Sequence, residues 1–267
     1  MGLGLNTQQG GGRRESRIGE AGEMVTATAG QGGKTLVFTP TLNDTTMLAQ
    51  IAADIRDLPG PFTYLVIDDG SEEAIDREEL GEDVLYARLP TNVGVGTCTH
   101  VAFDHALSYG YGAVVRVDAD GQHPVENIPD LLAPIQSGDA DMAVGQRVNR
   151  DSLKGMRALT AMFVRNYLAF VARLITRGRA PQDVSSGFFA ANPAAARILN
   201  SFQLERFSEA QMYILACRNN LKVVELPIVQ APRLQGRSTV TLGQALRLVY
   251  RFNVFVLAEL LQQSRVR

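Results

Sequence analysis

The stretch that decides the fold is KTLVFTPTLNDTTMLAQIAADIRDLPGPFTYLVIDDGS, residues 34–71. The runs at 35–39 and 64–67 are short, apolar and rich in β-branched or aromatic residues, so each predicts a strand. The segment at 44–57 between them predicts a helix. A strand, a helix and a second strand in this order predict a βαβ unit, whose two strands lie parallel in one sheet.

The alternation continues after this unit. Strands are predicted at 84–89, 113–117 and 142–144, and helices at 97–109 and after Pro124. The expected fold class is therefore α/β, with a mostly parallel sheet flanked by helices. Ligands of such sheets bind beyond the carboxyl ends of the strands. The turns that should converge there read PTLND at 40–44, DDGS at 68–71, NVGVG at 92–96 and DAD at 118–120.

Composition narrows the function classes. The chain has 267 residues, 45% of them hydrophobic, which is enough for a sizeable core. A formal net charge of −2 argues against nucleic acid as the main partner. Cys98 and Cys217 are far apart and show no Cys-x-x-Cys spacing, so neither a disulfide framework nor a zinc site is predicted and a reducing cytoplasm is expected.

The chain divides into three predicted parts. Residues 1–33 are rich in glycine and lack a sustained apolar run, which predicts a disordered leader rather than a signal peptide. Residues 34–240 are predicted to form one domain. Residues 241–267 are predicted to form an amphipathic helix that packs on the domain or on a membrane surface.

Asp118 and Asp120 are the strongest chemical signal. Two carboxylates at the end of a strand repel each other, and a divalent cation such as Mg²⁺ or Mn²⁺ relieves the repulsion through hard oxygen ligands. Such a cation bridges diphosphate oxygens and neutralises charge on a leaving group. By its spacing alone the motif is a weak signal, because an Asp-x-Asp in a turn is more often a solvated loop or a helix N-cap.

Two other turns carry weaker signals. Asp69 should lie at the end of a strand, where it can accept a hydrogen bond from a base or a ribose, but Asp-Asp-Gly-Ser is also typical of an ordinary turn. Gly94 and Gly96 open a predicted helix and would let backbone N–H groups approach a phosphate. A capped helix start explains these two glycines as well.

The order and spacing of the four turns resemble the family 2 glycosyltransferases with the GT-A fold. Within that family the chain is similar to the branch of dolichol-phosphate mannosyltransferase and the bacterial polyprenyl-phosphate glycosyltransferases, whose typical Asp-Ala-Asp-x-Gln-His-Pro segment matches residues 118–124. The likeness extends from about residue 34 to about residue 250. It implies a donor site formed by Pro40, Thr41, Asn43, Asp69, Gly94, Gly96 and Asp118, with Asp69 at the base. It also implies that Asp118, Asp120 and Gln122 hold the metal and the diphosphate.

The same resemblance implies an acceptor side. Gly145-Gln146-Arg147 is similar to a Gly-Ser-Arg segment, so Arg147 would bind the acceptor phosphate; an arginine that is solvated or paired with Asp151 is the alternative. Asp183 matches the Asp-x-x-Ser-Gly-Phe segment and would orient the acceptor or cap a turn. Glu209 corresponds to a carboxylate on a helix that faces the site. Arg233 begins a basic segment at 233–238 that resembles a loop closing over the phosphates, and a plain surface loop is its alternative.

Two long amphipathic segments suggest contact with a membrane. Residues 157–177 place Arg157, Arg165, Arg173 and Arg177 among apolar residues, as a helix in an anionic membrane interface does. A helix that packs on the core with its arginines in water has the same pattern. Arginines also interrupt 158–175 and 245–261, so neither segment is predicted to span a bilayer. The expected location is the cytoplasm, peripheral at the inner face of the membrane.

The function implied by the resemblance is a metal-dependent, inverting transfer of a hexose to a polyprenyl phosphate. The donor is of the GDP-mannose or UDP-glucose type, with Asp120, Arg147, Asp183 and Glu209 as the catalytic residues.

One alternative is a soluble transferase that acts on a saccharide or metabolite hydroxyl, and another is a catalytically silent relative that binds nucleotide or lipid. A nucleotidyltransferase would need a basic, glycine-rich loop after the first strand, which is missing at 40–43. The oligomeric state, including a homo-oligomer, is left open.

Overall fold

A computed structural model of the chain describes residues 33–148, 156–205, 208–231 and 242–262. The predicted leader lies outside these residues except for its last position, residue 33. The predicted basic segment that begins at Arg233 lies wholly outside them.

The described residues form a seven-stranded mixed sheet. Its strands are β1 Thr35–Thr41, β2 Phe62–Asp68, β3 Leu85–Arg88, β4 Ala113–Arg116, β5 Met142–Arg147, β6 Phe189–Ala191 and β7 Val223–Ile228. Their order across the sheet is β3-β2-β1-β4-β6-β5-β7. Strand β6 pairs antiparallel with β4 and β5, and the other pairs are parallel. The predicted α/β class with a mostly parallel sheet is confirmed.

Helices cover both faces of this sheet. They are α1 Leu48–Asp57, α2 Arg77–Leu80, α3 Val95–Tyr109, α4 Ile128–Gln136, α5 Met156–Ile175, α6 Pro193–Asn200, α7 Glu209–Arg218 and α8 Leu242–Gln262, with a 3₁₀ turn at Val125–Asn127 before α4. Helix α1 begins later than the predicted start at residue 44. A turn at 46–47 precedes it, and Met47 is its N-cap residue.

The strands at the centre of the sheet are buried on both faces. Leu36 and Phe38 of β1 point into one apolar cluster, with α3, α6 and α7. Val37 points into the other cluster, with α1 and α4. Because successive side chains of a strand alternate between faces, a continuous apolar run is what a doubly covered strand requires. This is why the run at 35–39 was readable as a strand from the sequence.

Two strands were not predicted, and β1, β2 and β5 are longer than predicted. Strand β6 has only three residues, and β7 contains Pro227, so neither has a strong strand pattern. Strand β5 continues past Val144 to Arg147 because β7 pairs with it in parallel up to the pair Arg147 and Ile228. Arg147 is consequently the last residue of a strand rather than part of a free loop.

Helix α8 packs on the domain against α5 and α7. Ala245, Phe252 and Val256 are buried, and the hydroxyl of Tyr167 on α5 donates to Oδ1 of Asn253 at 2.7 Å. At the far end, the guanidinium of Arg218 on α7 contacts Glu259 at 3.1 Å, with both side chains 12% exposed. Among the residues described, none of the helices combines the length and the apolar character that crossing a membrane requires.

Gly96 on α3 provides a test of the packing between α3 and the segment before α7. A Cβ at this position would lie 2.2 Å from the carbonyl oxygen of Glu205, which is backbone and cannot rotate away. We expect Gly96→Ala to lower the free energy of unfolding by about 2 kcal/mol, since overpacking displaces the backbone. The measurement is urea-induced unfolding followed by circular dichroism.

The matched control is Gly243→Ala on α8, where a Cβ would have nothing within 4 Å. Alanine is the better helix former, so this variant should be as stable as the parent or more stable by up to about 1 kcal/mol. Equal destabilisation by the two substitutions would show that contact with Glu205 is not what requires glycine at 96.

Candidate active site

Asp69 ties three turns together at the carboxyl edge of the sheet. Its two carboxylate oxygens accept the backbone N–H groups of Val93 and Gly94, each at 2.8 Å. Its own N–H donates to the carbonyl of Thr41 at 2.8 Å. The residue is almost fully buried, so these bonds replace the hydrogen bonds to water that its carboxylate gives up. A contact of Asp69 with a nucleotide base remains a prediction.

The turns after β1 and β2 are joined by a second set of bonds. The N–H of Asn43 donates to Oγ of Ser71 at 2.9 Å, and Oδ1 of Asn43 accepts from the N–H of Glu72 at 2.8 Å. Gly70 lets the turn after β2 also lie against the segment after β3, because a Cβ there would lie 2.6 Å from the carbonyl carbon of Thr91. The predicted donor residues Thr41, Asn43 and Asp69 thus belong to one connected group of turns.

Arg116 organises the other half of the edge. It is the last residue of β4, and its side chain is 6% exposed. Nε and Nη2 lie 2.9 and 2.8 Å from Oδ1 of Asp118, while Nη1 donates to Oε1 of Glu209 at 2.9 Å. Burial alone would lower the pKa of Arg116, but the two carboxylates outweigh burial and the pKa is raised. Asp118 and Glu209, which are 91 positions apart in sequence, therefore share one guanidinium.

His123 packs beneath Asp118. Its ring stacks on Phe188, with the centroids 5.1 Å apart. Nδ1 accepts the N–H of Asp118 at 3.0 Å, so the proton of the neutral ring is on Nε2, which lies 3.6 Å from Oδ2 of Asp118. Burial lowers the pKa of His123, and the charges of Asp118 and Asp120 offset this only in part. His123 is thus a neutral support for the Asp118 turn.

Arg147 and Asp183 form a two-bond ion pair. Nε of Arg147 donates to Oδ2 of Asp183 at 2.6 Å and Nη2 donates to Oδ1 at 2.7 Å. Nη2 also reaches Oγ of Ser185 at 2.6 Å. Burial alone would raise the pKa of Asp183, but the bonds from Arg147 and Ser185 outweigh burial and hold it below the usual range. In the described part of the chain, the partner of Arg147 is Asp183; Asp151 lies outside it.

These groups lie in one site. Burial alone would raise the pKa of Asp118, but the charge and hydrogen bonds of Arg116, together with the charge of Arg147, lower it. The structure brings Asp118, Arg147, Asp183 and Glu209 together from four separate motifs. Of the remaining predicted residues, Pro40 and Thr41 end β1, Gly94 and Gly96 begin α3, and Arg233 lies outside the described residues.

The two glycines before and in α3 have clear packing roles. Gly94 has a φ of 99°, and its N–H bonds to Asp69. Gly96 faces the backbone at Leu204 and Glu205. Both observations explain why glycine stands there without a ligand. A nucleotide contact at either position therefore remains a prediction.

A divalent cation at this edge would be held by Asp118, Asp120 and Gln122. Within the described residues, no three His, Cys, Asp or Glu side chains form a ready-made cation site. Carboxylate and amide oxygens are hard ligands, so the set fits Mg²⁺ or Mn²⁺ in kind. It is partly committed to protein contacts, because Oδ1 of Asp118 accepts from Arg116 and Nε2 of Gln122 donates to the carbonyl of Ala231 at 3.4 Å.

Arg116 and Ser185 are the site residues that the sequence reading missed. Ser185 gives no signal of its own in the sequence, because serine is common in turns. Arg116 had a readable signal, since it is the one charged residue in the run AVVRV at 113–117. An arginine in a strand buried on both faces must be paired with buried acids.

Comparison with known proteins supports the resemblance predicted from the motifs. The family model described as glycosyl transferase family 2 matches residues 36–197. The polyprenol monophosphomannose synthase of Mycolicibacterium smegmatis is 28% identical over 242 residues, which is 85% of this chain and 87% of that protein. The undecaprenyl-phosphate mannosyltransferase of Micrococcus luteus is 25% identical over 221 residues, 79% of this chain and 88% of that protein.

Solved structures support the fold. Glucosyl-3-phosphoglycerate synthase from Mycobacterium tuberculosis, in complex with Mn²⁺, UDP and glucosyl-3-phosphoglycerate, superposes with a TM-score of 0.62. The sequences are 19% identical, and the match covers 84% of this chain and 79% of that one. The predicted GT-A fold and the likeness to polyprenyl-phosphate glycosyltransferases are confirmed.

The pair of Arg147 and Asp183 gives a pH-dependent prediction. Asp183→Asn leaves a half-buried guanidinium without its charged partner, so we expect the free energy of unfolding at pH 7 to fall by about 3 kcal/mol. Because the folded pKa of Asp183 is depressed, its contribution is complete above the unfolded value of about 4 and is lost as the pH falls through the folded value. The difference between parent and variant should therefore shrink below about pH 4.

Urea unfolding between pH 7 and pH 3 measures this difference. Asp139→Asn is the control, since Asp139 is exposed and bonds only a nearby serine among the described contacts. A difference between parent and Asp183→Asn that stays constant over the whole pH range would contradict the ion pair as its source.

Proposed function

As a chain that belongs to glycosyl transferase family 2, this protein is a glycosyltransferase, and we propose that it transfers a hexose from a nucleoside diphosphate sugar to a polyprenyl phosphate. The transfer inverts the anomeric carbon. Relatives that are named for polyprenol and undecaprenyl phosphate support the acceptor. The donor is of the GDP-mannose or UDP-glucose type.

One observation carries the choice of acceptor. The two carboxylates that could serve as a general base, Asp183 and Glu209, are each bonded to an arginine. A hydroxyl acceptor needs a base to take its proton in the transition state. A phosphate monoester is already ionised at neutral pH and needs positioning and charge balance instead. Ion-paired carboxylates therefore suit a phosphate acceptor better than a hydroxyl.

Arg147 would bind the acceptor phosphate. Its described bonds use Nε and Nη2, and the side chain remains 21% exposed. Asp183 holds the plane of the guanidinium, so that the remaining donor edge points in a fixed direction. In this proposal Asp183 is a positioning residue for Arg147, and Glu209 has the same relation to Arg116.

The donor would lie across the two clusters of the sheet edge. Pro40, Thr41, Asn43 and Asp69 form the side for the nucleoside, and Asp118 and Asp120 form the side for the diphosphate. Mg²⁺ or Mn²⁺, held by Asp118, Asp120 and Gln122, would supply charge neutralisation to the leaving diphosphate. Gln122 also connects this motif to residue 231, where the segment containing Arg233 begins. Arg233 would contact the phosphates from there.

The acceptor assay tests the proposal directly. Labelled GDP-mannose and UDP-glucose are each incubated with a short polyprenyl phosphate, or with 3-phosphoglycerate as the soluble acceptor, with Mn²⁺ or with EDTA. We expect one donor to give an organic-soluble product that requires Mn²⁺. Transfer to 3-phosphoglycerate alone would overturn the lipid acceptor and keep the glycosyltransferase.

The variant Glu209→Gln separates the two chemistries. A general base contributes at least about 100-fold to a rate, so its loss from a hydroxyl transferase should cost at least that much. With a phosphate acceptor we expect a loss in kcat of less than about 100-fold, because Glu209 acts through Arg116. Arg197→Gln on the exposed side of α6 is the control for preparation and folding.

A membrane surface is the proposed partner of α5 and α8. The outer sides of the two helices expose large apolar side chains, including Phe163 at 70%, Phe170 at 67%, Tyr250 at 69% and Leu257 at 59%. Residues 156–175 contain no acidic residue, and the one acid of 242–262, Glu259, is paired with Arg218. An apolar face on two helices that carry several arginines and a single acidic residue is suited to an anionic bilayer surface.

A cavity of about 280 Å³ adjoins this face between α5, α7 and α8. Leu168, Leu248 and Phe252 provide apolar walls, and Arg247 and Arg251 lie at its border. Ala210, which directly follows Glu209 in the sequence, is one of its lining residues. A lipid acceptor on the membrane side would therefore pass this cavity before it reaches Arg116 and Arg147.

Vesicle binding tests the membrane surface. We expect the full chain to co-sediment with vesicles of phosphatidylcholine that contain phosphatidylglycerol, and much less with phosphatidylcholine alone. Phe163→Gln combined with Phe170→Gln should lower binding by at least about tenfold, since each ring would otherwise leave water. The control is Val229→Gln, which replaces a side chain that is 66% exposed outside the two helices. An equal loss in the control would contradict the assignment.

A further inference from the structure

Arg116 is enclosed between two carboxylates of the site. The side chain is 6% exposed and lies between Asp118 of the Asp-Ala-Asp motif and Glu209 at the start of α7. A guanidinium that gives up water at this depth must recover its hydrogen bonds from the protein. It does so with one carboxylate on either side of it.

The backbone of Gly187 packs against the guanidinium of Arg116. A Cβ on Gly187 would lie 2.9 Å from Nη2 of Arg116 and 2.8 Å from Oδ2 of Asp118. The backbone of the turn before β6 therefore lies directly against the ion pair. A change of rotamer at Arg116 would break its bonds to Asp118 and Glu209.

The charges at this point have a consequence for cation binding. Arg116 places one positive charge between the carboxylates of Asp118 and Glu209, directly at the Asp-Ala-Asp motif. A free divalent cation that approaches Asp118 meets the guanidinium at the opposite oxygen. A diphosphate brings further negative charge and further oxygen ligands to the same place.

We propose that Arg116 is a positioning residue that orients Asp118 and lowers the affinity of the site for a free divalent cation, so that the cation binds together with the diphosphate of the donor. This inference rests on the proposed function. The geometry and the charge of the Arg116 guanidinium have separate effects. The forked geometry of arginine holds Asp118, and its positive charge repels the cation.

Two substitutions at Arg116 distinguish these properties. Arg116→Gln removes the charge, so we expect the Kd for Mn²⁺ alone to fall by about tenfold, while kcat falls because Asp118 is no longer held. Arg116→Lys keeps the charge and loses the fork, so we expect weak binding of free Mn²⁺, as in the parent, together with a lowered kcat. Glu209→Gln removes a negative charge and should weaken the binding of free Mn²⁺.

The main readout is the equilibrium binding of Mn²⁺, measured by electron paramagnetic resonance with and without GDP or UDP. We expect the parent to bind Mn²⁺ at least about tenfold more tightly when the nucleotide is present, and Arg116→Gln to lose most of this dependence. Thermal unfolding in EDTA reports whether each variant is folded. Arg197→Gln is the control that changes an exposed arginine in the same way.

The outcomes separate this inference from the proposed function. If the parent binds Mn²⁺ with a nucleotide but Arg116→Gln binds free Mn²⁺ no more tightly, this inference is overturned and the proposed function stands. If Arg116→Gln does not fold, unchanged binding of free Mn²⁺ by Glu209→Gln overturns it equally. If the parent binds no Mn²⁺ with either nucleotide, the cation-dependent function is overturned and this inference with it.

Discussion

Acidic side chains at the carboxyl edge of the sheet give up water on folding, and the need to bond each of them is the constraint on which the site depends. Asp69, Asp118, Asp183 and Glu209 meet this need through different partners. Asp69 accepts two backbone N–H groups, Asp118 and Glu209 divide one buried guanidinium, and Asp183 takes both arms of another. The turns, the end of β5 and the start of α7 are held where they are because these bonds must all form together.

The same bonds decide what chemistry the site is suited for. A carboxylate that is bonded to arginine is a poor base, since its protonation costs the ion pair. An arginine that is held in one plane by a carboxylate is a good receptor for phosphate oxygens. An edge built from such pairs favours reactions between phosphates, in which the groups are already charged and catalysis consists of positioning and charge balance. Transfer between a nucleoside diphosphate sugar and a lipid phosphate is a reaction of this kind.

The outer helices extend this arrangement toward a membrane. Helix α7 carries Glu209 at one end and Arg218 near the other, so it connects the arginine cluster to Glu259 on α8. Helices α5 and α8 pack on each other. Their buried side chains include Ala172 and Ala245, while aromatic and leucine side chains such as Phe163 and Leu257 are exposed. The cavity between them and α7 is lined in part by Ala210, the residue that follows Glu209. A lipid acceptor would thus approach from the face that the apolar side chains would place in the bilayer surface.

By itself, the sequence determined the α/β class and the order of the first five strands, because a strand buried on both faces requires an apolar run such as 35–39. It also determined the turns that follow four of these strands, because such turns require glycine and short polar residues. It also indicated Asp118, Arg147, Asp183 and Glu209 one by one. Only the tertiary structure decided that Arg147 pairs with Asp183, and that Arg116 joins Asp118 to Glu209. These pairs connect residues 36 and 93 positions apart, and no local pattern encodes them. They arise because β6 inserts antiparallel between β4 and β5 and brings distant charges to one edge, where each must find a partner of opposite sign.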